Sequence, residues 1–266
     1  MNILTFDIED WFHTHQYRYQ NYDHVWEKLP AKVEENTDRI LNILEKQERK
    51  ATFFVLGWVA DRHPALIKKI HSKGHQIGAH SYWHHSPHRI SKKDFEKDLK
   101  HCLDILENLT GEKVTAYRAP GFSLHLKDKE HFEILTANGI KMDSSVQLWP
   151  CSNQIPLALK TTKNEIMEFP LITSCLGIPY TGGGYFRAMP TYIFQYLFKQ
   201  QDYHLLYFHP RDFDPDNPTT NLFSFSRNQL NRLNTWKSLQ RLEDLLNQYE
   251  TCPMHEAAKK FKESLK

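Results

Sequence analysis

HQIGAHSYWHHSPH, residues 75–88, decides how the rest of the chain is read. HQIGAH (75–80) has the length and composition of a short buried strand, with His80 at its carboxyl end. His84 follows four positions later, so that in a helical turn both imidazoles fall on one face, within reach of one ion. Two histidines do not make a hydrolytic centre. A third protein ligand, a base and an open coordination position are also needed, so the chain must bring carboxylates to the same place. His85 and His88 are expected to face solvent, because a fourth protein ligand would close the position that catalysis requires.

Outward from this stretch, strand-like and helix-like segments alternate. NILTFD (2–7), ATFFVLG (51–57), AYRAPG (116–121), IKMDSSV (140–146), IMEFPLI (166–172) and HLLYFHP (204–210) read as strands. Helical spacing marks 33–49, 61–74, 91–111, 127–138 and 190–201, with Ser91 opening the third and Gly111 closing it. A last helix over 228–248 carries Leu230, Leu233, Leu239, Leu242, Leu245 and Leu246 on one face. Such alternation predicts an α/β fold with a parallel sheet, curled into a closed or nearly closed (β/α) barrel. One domain is expected over 1–250, followed by a charged tail, 251–266, that frays.

In a parallel barrel the carboxyl ends of the strands meet at one mouth. Here those ends hold Asp7, Glu9, Asp10, His80, Arg118, Asp143 and His209. Two imidazoles and one carboxylate form a facial metal site with room for water. Strand alternation puts Glu9 on the side of Asp7, whereas a turn beginning after residue 8 brings Asp10 in; both stand as the metal carboxylate. Zinc is the default ion for such donors, and cobalt, nickel, manganese and iron also suit them.

The composition limits the partners. The 266 residues carry 34 Lys and Arg against 32 Asp and Glu, interspersed, which gives no electrostatic case for nucleic acid. No apolar run of about 18 residues predicts a membrane span, and no secretion signal is visible, so a soluble, cytoplasmic protein is expected. Cys102, Cys151, Cys175 and Cys252 are widely spaced and read as free thiols. TGGGYFRAMP (181–190) lacks the lysine of a Walker loop and reads first as a flexible barrel loop, second as a loop facing substrate. The sequence fixes no oligomeric state.

TFDIED (5–10), HSYWH (80–84), RAPG (118–121), DSS (143–145) and LYFH (206–209), in this order, resemble the five motifs of the polysaccharide deacetylases, the family 4 carbohydrate esterases. GGGYFR with HPRDFDP further resembles the subgroup encoded with exopolysaccharide and surface-polysaccharide genes. The resemblance implies a distorted (β/α) barrel of the polysaccharide deacetylase type with a C-terminal helical extension, and metal-dependent removal of acetyl from an N-acetylated sugar. By the same resemblance Asp7 is the base that deprotonates the attacking water, and His80 and His84 hold the metal. His209 protonates the departing amine, Arg118 orients Asp7, and Asp143 holds His209. A backbone N–H near Gly121 stabilises the oxyanion, while Trp149 and Leu206 surround the acetyl methyl. The chain departs from the family pattern at D-I-E-D, in place of adjacent aspartates, and at Gly121, where many members carry an aromatic residue; Trp11, Tyr82, Trp83 or Tyr185 could supply the sugar stacking instead. An O-acetyl esterase or small-amide hydrolase fits the same motifs, and a catalytically inactive carbohydrate-binding barrel is the non-enzymatic alternative.

Overall fold

Alternation along NILTFDI produces β1 (Asn2–Ile8), whose residues Leu4, Phe6 and Ile8 pack outward under the helices. Ile3, Thr5 and Asp7 face inward. In this computed structural model, residues 1–13, 23–148, 156–162, 164–174, 177–219 and 224–264 are described. The other strands are β2 (Thr52–Val55), β3 (Gln76–Ala79), β4 (Ala116–Tyr117), β5 (Met142–Asp143), β6 (Gln147–Leu148), β7 (Leu157–Lys160), β8 (Glu165–Glu168), β9 (Leu171–Ile172) and β10 (His204–Phe208).

Eight strands form one sheet in the order β10-β1-β2-β3-β4-β5-β8-β7, parallel except for β7, which runs antiparallel to β8. The separate β6–β9 pair continues beside it. With helices outside, this is an α/β fold built as an open, distorted barrel. The antiparallel edge strand was not visible in the residue pattern, because Leu157–Lys160 is short and half exposed.

The helices are α1 (Asp23–Trp26), α2 (Val33–Lys46), α3 (Gly57–Arg62), α4 (Pro64–Ser72), α5 (Lys92–Thr110), α6 (Lys129–Ala137), α7 (Gly183–Ala188), α8 (Thr191–Phe198), α9 (Phe225–Arg232), α10 (Thr235–Gln248) and α11 (Met254–Ser264). Helix α5 follows its sequence signals closely. Ser91 Oγ accepts the Asp94 N–H at 3.1 Å, Gly111 closes the helix at φ +72°, and Phe95, Leu99, Cys102, Leu103 and Leu106 form its buried stripe. The helix expected over 61–74 is instead split at His63, because Pro64 cannot continue a preceding helix and starts a new one. The expected 228–248 helix is likewise two helices, broken before Asn234 at φ +54°. Leu230 and Leu233 are consequently exposed, and only the α10 leucines reach the core.

The charged tail does not fray through residue 264. Cys252 N–H donates to Asn2 O at 3.0 Å, Leu4 N–H to Cys252 O at 3.0 Å, and α11 buries Met254, Ala257 and Ala258 beneath the barrel's inner core. Cys102 and Cys252 are buried free thiols; Cys151 and Cys175 lie outside the described residues. No helix among the described residues is long and apolar enough to cross a membrane.

Two carboxyls meet on the outer face of the sheet. Asp143 and Glu168 are register partners across β5 and β8, and both are fully buried. Burial pushes both up, and Glu168 is raised well above the usual carboxylate range, next by the Asp143 charge, so the pair shares a proton. Native Glu168 therefore keeps a proton that the unfolded chain releases. This stabilisation is present below the unfolded pKa and is lost as pH rises through the folded one. The Glu168→Gln variant supplies an N–H that does not titrate, so its melting temperature should fall less than the wild type's between about pH 5 and 9. Thermal melts across that range check this, and parallel curves would discard the shared proton.

Candidate active site

The mouth of the barrel encloses a cavity of about 300 Å³ lined by Asp7, Glu9, His80, His84 and His209. Each arrives for a local reason. Asp7 is inward on β1, and Glu9 N–H donates to Asp7 O as the strand ends, keeping Glu9 on the same side. His80 directly follows β3. His84 comes from an irregular turn, not a helical one, in which Ser81 and His84 both have positive φ, +64° and +58°. Non-glycine residues held there carry local strain of roughly 1–3 kcal/mol, which surrounding packing must offset.

Donor atoms of Glu9, His80 and His84 lie within 4.8 Å of one another. Their environment fits a divalent cation. His80 Nδ1 is 2.8 Å from the Arg118 carbonyl, which takes its proton and leaves Nε2 with a free lone pair. Burial pushes His80 down to about 4, so this imidazole is neutral, as a ligand must be. Glu9 Oε2 is 2.8 Å from His84 Nε2 yet is a buried oxygen with no hydrogen-bond partner. Its other oxygen pairs with Arg211. Burial alone raises the Glu9 carboxyl, but the neighbouring His84 and Arg211 together hold it well below the usual range. A carboxylate oxygen without a partner, facing two imidazoles, is a donor set that a cation of the zinc class completes.

Asp10, the other carboxylate weighed for this role, points elsewhere. Its Oδ2 accepts the N–H groups of Lys32 and Val33 at 2.8 and 3.0 Å, and its Oδ1 accepts that of Trp11, so it holds the start of α2. Of the two carboxylates, Glu9 is the one that meets His80 and His84.

Arg118 is fully buried and crosses the barrel interior to Asp7 Oδ1 at 2.6 Å. It also donates to Thr5 Oγ1 at 2.9 Å and Ser144 Oγ at 3.0 Å, and its guanidinium lies 4.2 Å from the Phe54 ring centre. Asp7 Oδ2 remains toward the cavity, 3.8 Å from His209 Nε2. His209 Nε2 is also 3.4 Å from Glu9 Oε1.

Asp143 does not hold His209. The pleat that turns Ser144 inward to Arg118 turns Asp143 outward, where it accepts Ser145 Oγ–H at 2.7 Å and pairs with Glu168. Asp212 occupies the position expected of it. Asp212 Oδ2 stands 3.2 Å from His209 Nδ1 and accepts the His209 N–H at 2.9 Å, while Oδ1 accepts Arg187 Nε–H at 3.2 Å. Burial raises this carboxyl, but the His209 hydrogen bond and the Arg187 charge outweigh it and hold Asp212 well below the usual range. A signal for it does exist in HPRD, where His209 is the N-cap, Pro210 is N1 and Asp212 is N3, the spacing of a capping box.

The glycine-rich segment is packed and faces the site. A Cβ on Gly183 would fall 1.9 Å from Asp212 Oδ2, and one on Gly182 would fall 2.3 Å from the Tyr207 ring. Only glycine lets this backbone lie against both side chains.

The other expected contacts divide. Gly121 lines the cavity at φ +68°, and Phe122 beside it lines the cavity too, its ring edge-on to Tyr207 at 4.8 Å. Leu206 faces the outer core, because strand alternation gives the cavity to Tyr207 instead; Leu171 and Ile172 supply the apolar wall. Trp149 lies outside the described residues. Among the candidate stacking rings, Tyr185 lines the cavity and is 47% exposed, whereas Trp11 and Tyr82 are buried and Trp83 packs on the core.

Asp7, His209 and the cation-type donor set Glu9, His80 and His84 thus face one cavity at the mouth of the barrel. Residues 12–142 match the polysaccharide deacetylase family profile, and residues 140–259 match a domain of unknown function termed DUF3473. The chain belongs to the polysaccharide deacetylase family. A crystal structure from Mycobacterium smegmatis with a provisional polysaccharide deacetylase assignment superposes over 98% of this chain and 90% of its own, with a TM-score of 0.69 at 18% identity. A peptidoglycan-N-acetylglucosamine deacetylase of Bacillus cereus is 34% identical over 86 residues, which is 32% of this chain and 31% of that relative. A family 4 pseudoenzyme of Bacillus anthracis also shares the fold, at TM-score 0.53 and 17% identity over 96% of this chain and 64% of its own.

Proposed function

We propose that this chain is a divalent-metal-dependent hydrolase that removes the acetyl group from an N-acetylated sugar, in the assembly of a surface polysaccharide or exopolysaccharide. One observation carries the reading: Asp7 and His209 face the same small cavity as the buried Glu9, His80 and His84. The deacetylase name of the Bacillus cereus relative supports the acetyl-sugar substrate, and the GGGYFR and HPRDFDP segments support the polysaccharide setting.

A divalent ion held by Glu9, His80 and His84 supplies Lewis-acid polarisation of water and of the acyl oxygen when bound. The protein does the rest. Asp7, fixed by Arg118 through Oδ1, presents Oδ2 to take the proton of the attacking water. His209, fixed by Asp212 through Nδ1, presents Nε2 to give a proton to the leaving amine. Leu171, Ile172 and Phe122 form an apolar wall of the size an acetyl methyl needs, and Tyr185 at the rim offers a ring face to a sugar.

The test is acetate release from N-acetylglucosamine oligomers and from O-acetylated polysaccharide, using protein stripped by chelator and then given zinc or cobalt. Turnover of the N-acetyl substrate only in the reloaded protein supports the reading. Turnover confined to O-acetyl substrate replaces it with an esterase, and no turnover on either moves the inactive barrel forward.

A further inference from the structure

Four residues beyond His84, a second set of donors comes together at the barrel rim. His88 sits in the 3-10 turn Pro87–Arg89, and His125 and Asp128 precede α6. His88 Nε2 is 3.2 Å from His125 Nδ1 and 3.0 Å from Asp128 Oδ2, and the third edge, His125 Nδ1 to Asp128 Oδ2, is 3.3 Å.

Hydrogen bonding cannot satisfy this triangle. If both imidazole nitrogens carry protons toward Asp128, the two N–H groups oppose each other across 3.2 Å. If His88 instead donates to His125, the bare Nδ1 lone pair faces the carboxylate. Asp128 Oδ2 already accepts the His125 backbone N–H at 2.7 Å, which fixes it between the rings. A cation removes the conflict, because all three atoms then point lone pairs at one centre. The edges also fit: donors about 2.0–2.1 Å from a tetrahedral ion lie roughly 3.3 Å from one another.

We propose that His88, His125 and Asp128 form a second, structural site for a divalent transition metal of the zinc class, sharing no residue with the Glu9, His80 and His84 set. Two nitrogens and one oxygen favour zinc, cobalt or nickel over calcium or magnesium. His88 and His125 are exposed, so solvent completes the coordination. Behind them His131, its ring 5.6 Å from that of His88, is buried with Nε2 lacking a hydrogen-bond partner, a third imidazole held in the same cluster. The ion ties together two segments that also line the catalytic cavity, one through His84 and one through Gly121 and Phe122.

Untagged full-length protein is titrated with cobalt(II), followed by absorption spectroscopy and calorimetry. Wild type is expected to bind two equivalents, and His80→Ala with His84→Ala to keep one. Adding His125→Asn should weaken that remaining equivalent by at least ~10-fold, as expected for loss of a direct ligand. Should the double variant misfold, His125→Asn alone serves: it must reduce the wild-type stoichiometry from two to one. A single equivalent in the wild type, or a second equivalent that His125→Asn leaves unchanged, overturns the site. Acetate release is scored separately, so failure of the deacetylase reading leaves this stoichiometry untouched.

Discussion

Asp7→Asn is expected to lower acetate release by about 10²–10⁴-fold, the usual contribution of a positioned general base, while the protein still binds one ion through Glu9, His80 and His84. The amide keeps an oxygen where Arg118 now finds Asp7 Oδ1 at 2.6 Å, so shape and hydrogen bonding persist. Proton affinity is what disappears. Because Arg118 is fully buried, the variant also leaves its charge without a counter-ion, and a lower melting temperature should accompany the catalytic loss. Activity is therefore compared at a temperature where both proteins are folded. Retention of more than about a tenth of the wild-type kcat would remove Asp7 from the role of base.

The second large effect separates two aspartates. Asp212→Asn should reduce kcat by roughly 10–100-fold, the range seen when a group that orients a site residue is lost. Asp143→Asn should leave kcat in place and alter stability alone, since Asp143 lies on the opposite face of the sheet with Glu168. Measuring kcat and melting temperature for both variants decides it. If Asp143→Asn lowers kcat and Asp212→Asn does not, the assignment from geometry is wrong.

The contrast shows where the residue pattern was legible. Seven strand residues with clean alternation sufficed to put Asp7 and Glu9 on one side, but Glu9 and Asp10 stayed level, because only the course of the chain after Ile8 separates them. Asp143 failed for the opposite reason: β5 has two residues, and in D-S-S nothing polar or apolar marks which side the aspartate takes. Leu206 failed in the same way, because Leu205 and Leu206 are equally apolar and only pairing with β1 settles which faces outward. The tail misled through its charges, which line the exposed side of α11 while Met254, Ala257 and Ala258 carry the packing. Arg187 and Arg211 could not be found from spacing at all, since each meets its carboxylate only after distant segments fold together.

The pairing of β1 has a bearing on how the molecule comes into being. Asn2 through Phe6 register with His204 through Phe208, and Asn2 and Leu4 bond to Cys252. The segment bearing Asp7 and Glu9 thus leaves the ribosome first among the described strands but must wait about 200 residues for its neighbour, a separation that slows folding. Until then one edge of an apolar strand stands open, and such open edges are prone to wrong pairing.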